Sequence, residues 1–201
     1  MSVELRKGQK VSLEKRVGTE LGQIVINLNW MQKIHTKGLF GSLKESEPID
    51  LDLGCLFELK NGLIGPVQAL GKRFGDLNNV PYIALDGDDR TGESTEGEFL
   101  RINGNKIAEI QRVLVYTFIY EGATNWGDAK GVVTVKAPGN QDLIVRMDEY
   151  GSSQRMCAIA MLENVNDETF SVEKLVRFYD DHKMMDQAYG WGLKWVPGKK
   201  D

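Results

Sequence analysis

Apolar and polar residues alternate along short segments of this chain, and a period of two predicts β-strands. The clearest example is residues 22–30, where Ile24, Ile26, Leu28 and Trp30 share one face. Such alternation is typical of a strand with one buried face. Other short apolar runs recur along the chain and are separated by turns rich in glycine. A mostly β protein is therefore expected.

Several further segments are predicted to be strands, with Lys7 and Gly8 as a turn between the first two: 2–6, 10–17, 49–57, 82–85, 99–102, 111–121, 131–137, 143–147 and 155–162. Residues 111–121 are the most apolar of these, which indicates a central strand. Strands at this spacing predict an antiparallel β-sandwich. A chain of 201 residues is long enough for one such domain, so residues 1–201 are predicted to form a single domain.

Three segments depart from this pattern. Residues 31–48 lose the periodicity and contain two glycines and a proline, which predicts a long loop. Residues 170–178 fit both a strand and a helix, and a strand is favoured. Residues 180–189 predict a short C-terminal helix, with Asp180 or Asp181 as its N-cap and a glycine directly after it.

An acidic loop is predicted between two of the strands. Only Arg90 carries a positive charge within it, against six carboxylates: Asp86, Asp88, Asp89, Glu93, Glu96 and Glu98. Carboxylates held close together repel one another, and a hard divalent cation with oxygen ligands, above all Ca2+, relieves that repulsion. The alternative interpretation is a solvated, negatively charged hairpin tip. Apolar segments flank the loop, so it is expected to be anchored in a sheet at both ends.

A second acidic feature lies within a predicted strand. Asp50 and Asp52 share one face of residues 49–57, with side chains about 7 Å apart, twice the rise per strand residue. Aspartate is disfavoured in strand interiors, so this pair calls for a reason. One alternative is an exposed edge strand whose charges prevent aggregation. Glu121 adds a further acid, because it ends the predicted central strand beside a polar loop.

Composition and charge narrow the classes of function. The net charge of −4 is too small to favour nucleic acid as a partner. No apolar run approaches the roughly 18 residues of a membrane span, and the N-terminus lacks the apolar core of a signal peptide, so the cytoplasm is the expected location. Cys55 and Cys157 each lie in an apolar run and are predicted to be buried, reduced thiols.

The acidic loop does not have the ligand spacing of an EF-hand. Counted from Asp86 as the first position of an EF-hand, the fifth is Arg90, the sixth Thr91 and the twelfth Gly97, and the flanks are strands rather than helices, so an EF-hand is excluded. No phosphate-binding loop of the Walker type and no nucleophile elbow is present. An enzyme is therefore not expected. The alternative is a metal-dependent phosphoester hydrolase or a nucleotide- or small-ligand-binding module, with Trp126 and residues 31–48 covering a pocket.

The order of these motifs resembles the bacterial tellurium-resistance (TerD-like) stress proteins, whose motif reads roughly Gly-Asp-Asn-x-Thr-Gly-Glu. The motifs that carry the resemblance are Asp50-Leu-Asp52, Gly87-Asp-Asp-Arg-Thr-Gly-Glu93, Glu98 and Ile119-Tyr-Glu121. The sequence is closer to the TerA branch, to which residues 118–122, 125–126, 131–134 and 189–192 are similar. The resemblance extends from about Leu21 to Trp195.

This resemblance implies a β-sandwich that binds Ca2+ through acidic loops in a cytoplasmic stress-response and tellurite-resistance system. It implies a non-enzymatic sensor or scaffold that acts with other proteins of that system, without nucleic acid, and reaches a membrane only peripherally through its partners. The residues that match the family pattern by position are Asp50, Asp52, Asp88, Asp89, Thr91, Glu93, Glu98 and Glu121. The full predicted metal set is Asp50, Asp52, Asp86, Asp88, Asp89, Thr91, Glu93, Glu96, Glu98 and Glu121. Asp89 replaces the motif's asparagine and the acidic run after Glu93 is short, which implies one ion or weaker binding.

Overall fold

The fold is built almost entirely from β-strands. The computed structural model describes residues 2–15, 20–31, 35–37, 43–45, 50–86, 97–121, 126–147 and 153–196. In chain order, the strands are β1 (Ser2–Glu4), β2 (Lys10–Ser12), β3 (Gln23–Asn29), β4 (His35–Lys37), β5 (Leu43–Glu45), β6 (Asp50–Leu59), β7 (Ile64–Gln68), β8 (Gly75–Asp76), β9 (Ile83–Leu85), β10 (Glu98–Asn103), β11 (Ile110–Glu121), β12 (Val132–Lys136), β13 (Asp142–Arg146), β14 (Met156–Val165) and β15 (Thr169–Tyr179). The α-helices are α1 (Trp126–Ala129) and α2 (His182–Tyr189), and short 3-10 turns occupy Leu70–Lys72 and Gly104–Glu109.

Two main sheets form the sandwich. The first sheet has seven strands in the order β1-β13-β12-β3-β10-β9-β8, and the second has six in the order β2-β15-β14-β11-β6-β7. This arrangement confirms the mostly β, sandwich-like fold, and β11 is an internal strand as predicted. The expectation of purely antiparallel pairing is wrong at one position, because β1 runs parallel to β13.

The core lies between the inward faces of the two sheets. From the first sheet, Ile24, Ile26 and Leu28 are fully buried, in agreement with the alternation along residues 22–30. From the second sheet, Leu51 and Leu53 of β6 belong to the same cluster. Burial of these apolar side chains supplies the main driving force for stacking the sheets.

Strands β1 and β2 do not pair with each other across the predicted turn. Lys7 and Gly8 do form a turn, but β1 and β2 belong to different sheets. Leu5 N–H donates to Ile144 O in the first sheet, and Lys174 N–H donates to the carbonyl of Gln9 in the second. The chain therefore crosses from one sheet to the other here, and each strand completes the edge of its own sheet.

The predicted loop at 31–48 contains a short ribbon instead of a continuous loop. Strands β4 and β5 pair antiparallel, with His35 opposite Glu45. Each strand has only three residues, and neither shows apolar alternation. Periodicity therefore gave no signal for them.

A second apolar cluster covers the outer face of the second sheet. Tyr116 and Phe118 of β11 pack there with Met185 of α2 and with Trp191. The helix begins as predicted, since the Asp181 side chain accepts a hydrogen bond of 2.7 Å from Met184 N–H, and it ends at Gly190 in the left-handed conformation. The strand prediction for 170–178 is also confirmed by β15. Within the described ranges, neither helix has the length and apolarity needed to span a bilayer.

Both cysteines lie in the core, as predicted. Cys55 and Cys157 are fully buried and are not joined in a disulfide. Burial raises the pKa of both thiols well above the ordinary range. The thiols are therefore inert core side chains.

Candidate metal site at one end of the sandwich

Acidic residues at the ends of β6 and β11 lie side by side. The two strands are antiparallel, so the start of β6 meets the end of β11, and Asp50 is the cross-strand partner of Glu121. Asp52 lies two residues further along β6, opposite Phe118. Glu98, the first residue of β10, reaches this same region from the other sheet, as its hydrogen bond shows.

Glu98 connects the two sheets. Its side chain is 3% exposed and belongs to the inward-facing positions of β10. Its Oε2 accepts a hydrogen bond of 2.6 Å from the backbone N–H of Leu53 on β6. A hydrogen bond to a carboxylate is stronger than one between neutral groups. Glu98 therefore holds the start of β10 against the acidic end of β6.

Gly97 fixes the place at which Glu98 enters the sheet. Its φ is +76°, and a Cβ at this position would lie 2.0 Å from the carbonyl oxygen of Leu28 on β3. Only glycine combines that conformation with so close an approach of two backbones. The acidic loop therefore returns to the sheet at a position that its last glycine specifies.

Asp52 is fully buried, at 0% exposure. It lies on the outer face of the second sheet, opposite Phe118 of β11, whereas the pairing of β6 with β7 begins two residues later, at Gly54. Its complete burial contradicts the alternative of exposed, protective charges at this position. A buried carboxylate carries a large desolvation cost unless other groups or a cation compensate it. One oxygen of each acid, Oδ2 of Asp52 and Oε1 of Glu98, is buried without a hydrogen bond in the described structure, although both side chains take part in other interactions.

A polar group beside Asp52 was not found by sequence reasoning. Tyr116 lies opposite Gly54, where a Cβ would come within 2.8 Å of the tyrosine ring. Its buried hydroxyl donates to Gln68 Oε1 at 2.5 Å. Burial raises the pKa of Tyr116 well above its usual value, and the nearby Cys55 and Asp52 contribute in the same direction. Only the strand register brings these residues together, so no local motif signals them.

Asp86 is oriented differently from the other acids. Arg101 Nε donates to both of its carboxylate oxygens, at 2.8 and 2.6 Å, and the guanidinium Nη2 also contacts the carboxylate. This partner raises the pKa of Arg101. Asp86 follows β9 on the outward side of the first sheet, whereas Glu98 points inward. The structure therefore brings Asp86 to the same end of the sandwich but pairs it with an arginine.

A basic side chain that the sequence analysis did not identify lies at the end of β11. The Arg155 guanidinium donates to the carbonyl of Ile119, at 3.0 and 2.7 Å, and to that of Tyr120, at 2.9 Å. These carbonyls immediately precede Glu121, whose side chain is exposed. Arg155 thus stabilises the backbone at the end of β11, just before the polar segment that follows the strand.

Half of the predicted metal set lies outside the described residues: Asp88, Asp89, Thr91, Glu93 and Glu96. Their assignment stays a prediction. In the ranges that the structure does describe, no three His, Cys, Asp or Glu residues gather as a metal site. Asp50, Asp52, Glu98 and Glu121 lie at the same end of the sandwich, but the Asp52 side chain is on the outer face of the second sheet and that of Glu98 is on the inward side.

Trp126 does not cover a pocket. It is 0% exposed, and its indole N–H donates to the carbonyl of Gln154 at 2.8 Å. The ring packs at 5.7 Å from that of Phe178. Its role is in the core, and the observation that linked it to a small-ligand site is overturned.

Fold and acidic end together define a two-sheet β protein with buried carboxylates at one end of the sandwich. The profile of the TerD domain matches residues 1–169, and the chain belongs to this family. It is 42% identical over 191 residues to a tellurium resistance protein TerA from an Alcaligenes species. That alignment covers 94% of this chain and 56% of the relative, so the chain spans little more than half the relative's length. The resemblance seen in the motifs is thereby confirmed.

Two solved structures share the fold. A homologue of the telluride resistance protein TerD from Streptomyces coelicolor A3(2) superposes with a TM-score of 0.52 at 16% identity, covering 83% of this chain and 95% of that one. A protein of unknown function gives a TM-score of 0.54 at 11% identity, covering 88% of this chain and all of the other. At these identities the likeness concerns the fold alone.

Proposed function

We propose that this protein binds Ca2+ at the acidic end of the sandwich and acts as a non-enzymatic sensor or scaffold. The observation that carries the proposal is the burial of two carboxylates there, Asp52 and Glu98, from opposite sheets. They adjoin the same stretch of β6, because Glu98 accepts the N–H of the residue that follows Asp52. A cation bound at this end would offset part of the desolvation cost of these buried carboxylates.

The chemistry of the donor set fits Ca2+. Calcium takes six to eight oxygen ligands, mostly carboxylates and carbonyls, in a flexible geometry. Asp52 and Glu98 would supply buried oxygens, and Asp50 and Glu121 lie at the rim. The segment 87–96 would supply Asp88, Asp89, Thr91, Glu93 and Glu96.

Family membership supports a proposal for the cellular role. The relative from Alcaligenes is named for tellurium resistance, and we propose a role in a stress-response system of that kind for this chain. Other proteins of the system, in the cytoplasm, would read the Ca2+-ordered loop surface. Because the relative is much longer than this chain, the activity and partners of the relative as a whole form part of the proposal.

Calorimetric titration of Ca2+ into chelator-treated protein tests the proposal. We expect heat of binding and a higher melting temperature at millimolar Ca2+, since a ligand that binds only the native state stabilises it. Glu98→Gln and Asp52→Asn should each weaken binding by about tenfold or more, which equals a loss of about 1.4 kcal/mol. Glu168→Gln is the matched control, because this acid is exposed in the turn between β14 and β15. Absence of both heat and thermal stabilisation would overturn the proposal.

The alternative of a metal-dependent phosphoester hydrolase or a nucleotide-binding module is tested with the same proteins. A panel of phosphoesters is incubated with Mg2+, Mn2+ or Ca2+, and nucleotide binding is measured by calorimetry. Turnover that Asp52→Asn abolishes and Glu168→Gln does not would favour the alternative. The Arg155 guanidinium, which lies at the end of β11, donates to backbone carbonyls, so its contacts give the alternative no support.

A further inference from the structure

Two asparagines in this chain are followed directly by glycine, in Asn61-Gly62 and Asn103-Gly104. In such a pair the glycine backbone nitrogen can attack the asparagine side-chain amide, because no β-carbon hinders its approach. The reaction also needs access to water and room for the backbone to rotate. The fold gives the two pairs opposite surroundings, so the same local sequence acquires different reactivity at the two places.

Asn61 lies in the turn between β6 and β7, at the far end of β6 from Asp50. Asn61 and Gly62 are both exposed, and a Cβ on Gly62 would meet no atom within 4 Å. The turn is closed by Gly62 N–H, which donates to Leu59 O at 2.9 Å, and by Leu59 N–H, which donates to Leu63 O at 2.8 Å. Because β7 is an edge strand, this exposed turn opens at a low cost in free energy.

The side-chain amide of Asn61 is polarised at its oxygen and accessible at its nitrogen. Its Oδ1 accepts a hydrogen bond of 3.0 Å from the backbone N–H of Leu63. Negative charge develops on this oxygen when a nucleophile adds to the amide carbon, and a donor aimed at the oxygen stabilises that charge. Within the described residues, the Nδ2 of Asn61 makes no hydrogen bond, so nothing there holds the leaving group.

Asn103 and Gly104 lie at the end of β10, in packed surroundings. Gly104 is buried, and its N–H donates to Gly22 O at 2.9 Å. A Cβ on Gly104 would lie 2.3 Å from that same oxygen, so the attacking nitrogen is packed against the backbone just before β3. The Nδ2 of Asn103 donates to Leu77 O at 3.0 Å, which holds the leaving group. Its Oδ1 accepts Asn105 N–H at 3.2 Å, so a polarised carbonyl is common to both sites and does not distinguish them.

We propose that Asn61 is a site of spontaneous deamidation in the folded protein, whereas Asn103 is protected. The Gly62 nitrogen loses its proton to water and bonds to the Cγ of Asn61. The bond from Cγ to Nδ2 then breaks, and the departing nitrogen takes up a proton from water and leaves as ammonia. Water opens the resulting five-membered succinimide at either of its two carbonyls, giving aspartate or isoaspartate. One water is consumed and one ammonia released, without oxidation or reduction, and the net charge of −4 becomes one unit more negative.

The two products differ in their effect on the turn. Aspartate keeps an oxygen that can accept the N–H of Leu63, and its new charge lies next to Lys60, which pairs with Asp167 at 2.6 Å. Isoaspartate carries the main chain through the former side chain and lengthens it by one methylene. The pairing of β6 with β7, which begins beside the turn, is therefore disturbed by isoaspartate and retained with aspartate.

Timed peptide mass spectrometry of the full chain tests the proposal. The protein is incubated at mildly alkaline pH with a chelator, either native or unfolded in urea, and each asparagine is followed by the mass increase of the acid over the amide. Dividing the rate in urea by the native rate gives a protection factor and removes the effect of neighbouring residues. We expect the protection factor of Asn103 to exceed that of Asn61 at least about tenfold, because a buried site reacts only through local opening.

Asn61→Gln is the matched variant, because it keeps the amide but lengthens the side chain and disfavours ring closure. Isoelectric focusing of aged wild-type protein should show an acidic species that is strongly reduced in Asn61→Gln, and Asn61→Asp marks the position of the aspartate product. Equal protection factors at the two asparagines would overturn the proposal, and so would conversion of Asn61 in urea alone. Because a chelator is present throughout, the result is independent of Ca2+ binding and of the proposed function.

Discussion

The carboxylate of Glu98 on one sheet accepts the backbone N–H of Leu53 on the other, at 2.6 Å. This bond joins the sheets at the end where Asp50, Asp52 and Glu121 also lie. The acidic loop that precedes Glu98 is therefore mechanically connected to both layers of the sandwich. A ligand bound through Glu98 would act on both sheets at once.

Glu98→Ala should destabilise the protein even without metal. The substitution removes a charge-assisted hydrogen bond, leaves the Leu53 N–H without its acceptor, and opens space in the interior. We expect the free energy of unfolding in the presence of a chelator to fall by about 2 to 4 kcal/mol. Urea denaturation measures the change. Glu98→Gln keeps an acceptor oxygen and should lose clearly less, so equal losses for the two variants would contradict the structural role of this bond.

Gly97→Ala should be far more damaging than alanine at an open turn. Gly97 and Gly62 both have positive φ, +76° and +84°, but a Cβ meets Leu28 O at 2.0 Å in the first case and nothing within 4 Å in the second. The conformational cost is common to both and amounts to roughly 1 to 2 kcal/mol. The excess for Gly97→Ala over Gly62→Ala, measured by urea denaturation, reports the backbone clash. Equal destabilisation would show that β3 and the start of β10 can move apart at little cost in free energy.

How far the sequence predicts this structure depends on the range of the interactions involved. Alternation along residues 22–30 predicted β3, because a strand with one buried face has an alternating apolar pattern within its own sequence. The turn at Lys7 is equally local, yet it does not determine to which sheet each flanking strand belongs. The pairing of Asp86 with Arg101 spans the acidic loop, and the contact between Asp52 and Phe118 depends on the register of two distant strands. The acids were found from sequence, but their burial and partners were not.

His182 should make stability depend on pH. Burial against Tyr116, Phe118 and Trp195 lowers the pKa of His182 to about 4, while nearby Asp181 acts weakly in the opposite direction. The unfolded chain, with a histidine pKa near its usual value of about 6.5, binds the proton more readily than the native state does. Stability is therefore complete above about pH 6.5 and falls as the pH decreases toward 4, by an amount on the order of 2 to 3 kcal/mol.

His182→Phe isolates this contribution, because it keeps an aromatic ring among the same aromatic side chains and removes the titrating group. Urea denaturation of both proteins between pH 7.5 and about pH 4.5 should show a steeper loss for the wild type. The carboxylates titrate in both proteins and cancel in the comparison. Parallel curves would mean that His182 becomes protonated within the folded protein without cost.

Asp86→Ala should have little effect on Ca2+ binding, although the acidic loop begins at this residue. Its carboxylate already accepts hydrogen bonds from Arg101 on the outward side of the first sheet, and half-exposed ion pairs of this kind contribute only about 0 to 1 kcal/mol to stability. We expect the Ca2+ affinity of Asp86→Ala, measured by calorimetry, to stay within about twofold of the wild type, whereas Asp52→Asn loses tenfold or more. A loss for Asp86→Ala as large as that for Asp52→Asn would show that the Asp86 carboxylate leaves Arg101 to bind the metal. The ligand set would then include the residue that directly follows β9.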